Sequence, residues 1–66
     1  MSSLGETFPK EQARCREVLM RYKEIGPPGQ FAAVMIEDML RRADEAAISG
    51  DVVEMIRIYK EMKETE

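Results

Sequence analysis

Apolar residues recur every three or four positions through three stretches of this 66-residue chain, with glycines between them. In the first stretch Cys15, Val18, Leu19, Tyr22 and Ile25 fall on one helical face, with Met20 off it. Pro9 suits a first helical residue, whose amide needs no partner, so the first helix is predicted from Pro9 to Ile25. Gly26 then supplies a left-handed stop, and Pro27 and Pro28 forbid continuation. Residues 1–8 are polar and aperiodic and read as a flexible arm, with Phe8 packing as a staple just ahead of the helix.

The second stretch predicts a helix over 30–49, ended by Gly50. Ala32, Met35, Ile36, Met39, Leu40, Ala43, Ala46 and Ala47 form a wide apolar stripe, and Phe31, Val34 and Ile48 lie outside its centre. Asp51 can cap a third helix over 51–64, with Val52, Met55, Ile56, Tyr59 and Met62 as its stripe, widened by Ile58. Arg57 with Glu61 and Lys60 with Glu64 are spaced as exposed i,i+4 pairs. The connections at Pro27–Gly29 and Ser49–Asp51 are short enough to fold neighbouring helices back on each other. The expected fold is therefore all-α, a helical hairpin with a third helix packed across it, forming one domain over residues 9–64.

Seven uncharged residues, Gln30 to Ile36, open the second helix. A helix in a small monomer keeps one face wet, so this turn is expected to be covered, either centrally or by another copy. Phe31, Val34 and Met35 are the expected interface residues, together with Met20. Size points the same way. A core of this length contributes only about 3–5 kcal/mol, and Cys15 alone cannot form an internal disulfide. A homo-oligomer is the expected state.

Composition narrows the chemistry. With no His and one Cys, neither a Cys-His or Ser-His pair nor an ordinary zinc site can be assembled, so no enzyme, metal or cofactor is expected. Cys15 lies on the apolar stripe and reads as a buried thiol rather than a reactive one, although Arg14 and Arg16 flank it. The formal charge of −3 is uneven: residues 1–26 carry five bases and four acids, the remainder five bases and nine acids. Ala46, Gly50 and Ile56 fit a helix-turn-helix skeleton, but the following segment holds five acids against three bases and would repel phosphate. Duplex nucleic acid is thus not the expected partner. No apolar run reaches the roughly 20 residues that span a bilayer, and the first residues lack the basic-then-apolar order of a signal peptide. A cytoplasmic protein is expected.

One local anion site is conceivable at the start of the second helix, whose first amides point outward. Arg21 and Lys23 lie within two turns of the break, and Tyr22 offers a ring for stacking. The same Pro-Pro-Gly segment also serves as a plain turn. The order of features, a helix ending in a break, a Pro-Pro turn and then Glu37, Leu40, Ala43, Ala46, Ala47 and Ile48 as E-x2-L-x2-A-x2-A-A-I, resembles the helical hairpin of phage anti-defence sponges that sequester cyclic nucleotide signals of the CBASS and Thoeris systems. The resemblance covers residues 11–49. It implies a short, non-enzymatic, oligomeric protein holding a nucleotide between subunits, with Arg21, Tyr22, Lys23, Gly29 and Gln30 as the ligand-binding residues. The other expectation is a protein-interaction module, including a phage inhibitor of a host defence protein.

Overall fold

The computed structural model describes residues 3–66; Met1 and Ser2 of the expected arm lie outside the described residues. Among the described residues three helices follow one another, α1 (Leu4–Ile25), α2 (Gln30–Ser49) and α3 (Val52–Glu64), with a 3₁₀ turn (Pro27–Gly29) between the first two. Among the described residues there is no strand. Cross-helix pairs fix the directions. Lys23 meets Glu37 and Arg16 meets Asp44, so α2 runs antiparallel to α1. Arg42 meets Glu61, and Thr65 donates to the Met39 sulfur, so α3 runs antiparallel to α2 and parallel to α1.

Helix α1 begins five residues before Pro9, so most of the predicted arm is helix. Pro9 lacks the amide that would bond Gly5, a loss of up to about 3 kcal/mol in a helix interior and less near its start. The offsetting gain is Phe8, which is almost fully buried and stabilises by about 2–3 kcal/mol. Leu4, one turn earlier, packs against the same core, and the Ser3 carbonyl accepts from the Glu6 and Thr7 amides. Phe8 is therefore a core residue inside the helix and not a staple ahead of it.

The core joins Phe8, Cys15 and Val18 of α1 to Ile36, Met39, Leu40, Ala43 and Ala46 of α2 and to Ile58 and Met62 of α3. Helix α2 is rolled slightly from the predicted stripe: Ala33 is buried, Met35 and Ala47 are exposed. Helix α3 is rolled further. Ile58 and Met62 are its fully buried residues, Met55 and Tyr59 are partly covered, and Val52 and Ile56 face out. Ile25 is also exposed, because α1 outruns its neighbours there. Of the four methionines assigned to the core by spacing, Met39 and Met62 are buried, Met55 is partly covered and Met35 is outside.

Glycines make both reversals. Gly26 has φ 86° and Gly50 φ 72°, the left-handed region in which a Cβ is unfavourable. Gly50 sends its amide to Ala47, and Asp51 sends its own to Ala46, closing α2. Asp51 Oδ1 then accepts from the Glu54 amide at 3.1 Å, the predicted cap of α3. Gly29 acts through contact instead. A Cβ there would overlap the Tyr22 carbonyl oxygen and lie 3.2–3.3 Å from that residue's carbonyl carbon and Cα. Gly29→Ala is accordingly expected to destabilise by about 1–3 kcal/mol, read as a lower urea midpoint by circular dichroism; an unchanged midpoint would show that the hairpin does not need this approach.

Candidate functional site

Polar contacts at the far end of α3 tie it to α1. Arg14 donates Nη1 to the Thr65 carbonyl at 2.9 Å and Nη2 to the Met62 carbonyl, while Glu11 holds the guanidinium from the other side at 3.0 Å. A cation of α1 thus satisfies carbonyls at the end of α3, which has no glycine cap. The Cys15 thiol lies beneath them, donating to the Met62 carbonyl at 3.6 Å. Burial pushes that thiol above its ordinary value, an effect the neighbouring Arg14 charge opposes only in part. Burial and the raised value both disfavour the thiolate form.

The charged face of α2 forms one ion-pair network. Arg42 makes two bonds to Glu61, at 2.9 and 3.0 Å, and one to Asp38 at 3.0 Å. Arg41 bridges Asp38 at 2.7 Å and Glu45 at 2.9 Å. Arg41 and Arg42 hold Asp38 below the usual carboxylate range, and Arg42 does the same to Glu61. Glu61 is thereby taken from the predicted partner Arg57, which instead approaches Glu54 at 3.8 Å. The network is structural; among the described residues no three His, Cys, Asp or Glu side chains gather as metal donors.

The residues proposed for an anion are brought partly together. Tyr22, Lys23 and Gln30 line one shallow groove of about 360 Å³ with Pro27 and Val34. Arg21 is not in it; with Tyr22, Ile25 and Glu66 it borders a separate groove on the α3 side. Gly29 is buried against Tyr22, so its role is the close approach. Lys23 is paired with Glu37 at 3.5 Å, and the Glu37 side chain lines the same groove. The Tyr22 hydroxyl donates to the Glu66 carbonyl at 2.7 Å. The Gly29 and Gln30 amides donate to Gly26 and Pro27 carbonyls and do not point outward free. The C-terminus of α1 adjoins the N-terminus of α2 at this end, whereas α3 stops short of it, with Thr65 level with Met39.

Beside the groove the surface is apolar. Phe31 is 78 % exposed, Val34 56 % and Met35 57 %, three residues on adjacent positions of one helical face. Ile25 is exposed at the neighbouring end of α1. Met20 is exposed as well, but borders neither groove that contains Tyr22. Spacing alone did not assign a second exposed group, Ile48, Val52, Val53 and Ile56, at the α2–α3 corner. The available signal was an excess: α3 has seven apolar or aromatic residues between positions 52 and 62, more than one face of a 13-residue helix covers.

Searches against protein-family models, curated proteins and solved structures find no match to the chain. Among the described residues no helix is long and apolar enough to cross a membrane.

The ion-pair network has a pH signature. Asp38 and Glu61 titrate lower in the folded chain than in the unfolded one, so the unfolded chain takes up protons first as pH falls. Their contribution is complete above the ordinary values of 3.8 and 4.5 and is lost as pH drops through the lower folded values. Arg42→Met should lower stability at neutral pH by at most about 1 kcal/mol, since the pairs are solvent-facing, and should make the acid fall of the melting temperature shallower. Thermal melts from neutral to strongly acidic pH test this, and superimposable acid limbs would remove the network's role.

Proposed function

We propose that this chain is a non-enzymatic binding protein whose working surface is the apolar turn end of the bundle, Phe31, Val34 and Met35 with Ile25, and that its target there is a protein surface. The exposure of Phe31 carries the reading. A phenylalanine mostly in water beside Val34 and Met35 is an apolar patch of the kind that marks protein contacts. Charged side chains of both signs adjoin it: Lys23 and Glu37 share the groove that Val34 lines, and Asp38 follows Met35 by one helical turn. The anti-defence setting implied by the hairpin resemblance is compatible with such action, in which a short chain blocks a host protein by occupying its surface. A cytoplasmic location belongs to the same proposal.

A second reading, sequestration of a small anionic nucleotide, is supported by the groove that gathers Tyr22, Lys23 and Gln30. Glu37 in that groove, and its pairing with Lys23, weigh against an anion, and for this reason the protein-contact reading stands first.

The two separate by substitution. Phe31→Ser combined with Met35→Ser should keep the helical circular dichroism and abolish association, measured by light scattering for the chain alone and by affinity capture of a host protein. Association unchanged in both assays would sink the reading. Calorimetric heat with a cyclic dinucleotide, lost in Lys23→Ala but not in the double variant, would put the second reading in its place.

A further inference from the structure

Helix α2 carries a second seam on the side away from its own core. Phe31, Val34, Asp38, Arg41, Glu45 and Ile48 are spaced 3, 4, 3, 4 and 3 residues apart, the a/d pattern of a coiled coil, and every one of them is exposed. The two most exposed large apolar side chains among the described residues, Phe31 at 78 % and Ile48 at 87 %, are the ends of this row. They stand about 26 Å apart at the helical rise. Between them lie Val34 and then an acid, a base and an acid, so the row is apolar at both ends and charged in the middle.

We propose that a second copy of this chain docks here, α2 against α2, antiparallel about a two-fold axis between Asp38 and Arg41. The register follows from the sequence. In that arrangement Phe31 of each copy meets the other copy's Ile48, Val34 meets the stem of Glu45, and Asp38 meets Arg41. Each layer then pairs an a with a d position, and every contact occurs twice, as an isologous interface requires. A parallel pairing instead sets Asp38 against Asp38 and Arg41 against Arg41, which repel. The charges therefore choose the orientation, and the apolar ends supply the area. Burying Phe31, Val34, Ile48 and the adjoining Met35 removes roughly 500 Å² per copy from water, about 1,000 Å² in total, the lower bound of a specific interface. A dimer in the micromolar range is the expected consequence.

This inference rests on the reading of the α2 start as a protein-contact surface, and it names the partner. It is tested on the full chain by sedimentation equilibrium across micromolar to near-millimolar concentrations. Asp38→Arg and Arg41→Asp should each weaken the dimer at least about tenfold, because each places like charges face to face. An equimolar mixture of the two should restore association to within about threefold of the wild type, since both seam positions are then basic in one copy and acidic in the other. Circular dichroism of each variant checks that it remains helical. A wild type that stays monomeric throughout, or a mixture that stays as weak as its components, overturns the seam. Ile48→Ser separates this result from the underlying reading: if Phe31→Ser breaks the dimer and Ile48→Ser does not, the start of α2 is a contact surface and the antiparallel register is wrong.

Discussion

The backbone of Gly29 lies directly on the backbone of Tyr22, and the placement of α2 follows from that contact. With no side chain between them the two helices approach at one end, so the small residues Ala33 and Ala43 can be buried together with Ile36 and Leu40. This fixes the roll of α2. Once those residues point inward, the helical rotation of about 100° per residue leaves Phe31 and Val34 pointing outward. Exposure of the apolar turn end is thus a consequence of the packed hairpin and not of a loose helix start.

Helix α3 is held differently from the hairpin. It is the shortest of the three and offers two fully buried side chains, Ile58 and Met62, so packing alone is thin. Polar anchors supplement it along its second half: Arg42 on Glu61, Arg14 on the Met62 and Thr65 carbonyls, and the Tyr22 hydroxyl on Glu66. Its first half has the Asp51 cap and the partly covered Met55, with Val52, Val53 and Ile56 in water. The grip is strongest along the middle of α1 and α2, at Arg14 and Arg42, and reaches toward the turn only through Tyr22.

The breaks and caps were legible because they depend on one residue type each: glycine for a positive φ, proline for a lost amide, aspartate for a free amide three residues on. The start of α1 was not legible, because it depends on whether Phe8 finds a core, which is a property of helices far away in sequence. The roll of α3 was hidden for a related reason. Its apolar residues nearly encircle it, so periodicity fits several orientations, and the packing against α1 and α2 selects the one centred on Ile58 and Met62. For the candidate groove, the proximity of Tyr22, Lys23 and Gln30 followed from the short turn, but the intrusion of Glu37 needed the register of α2 against α1. The uncharged run at 30–36 was expected to be covered, and the single chain instead leaves Phe31, Val34 and Met35 exposed, because the roll of α2 turns Ala33, Ile36 and Leu40 inward.

One carboxylate has two employers. Asp38 accepts from Arg41 on the outer side of α2 and from Arg42, which also grips Glu61 of α3. Its two oxygens are divided between them, Oδ1 to Arg41 and Oδ2 to Arg42, so one side chain belongs at once to the outer row of α2 and to the grip of α2 on α3.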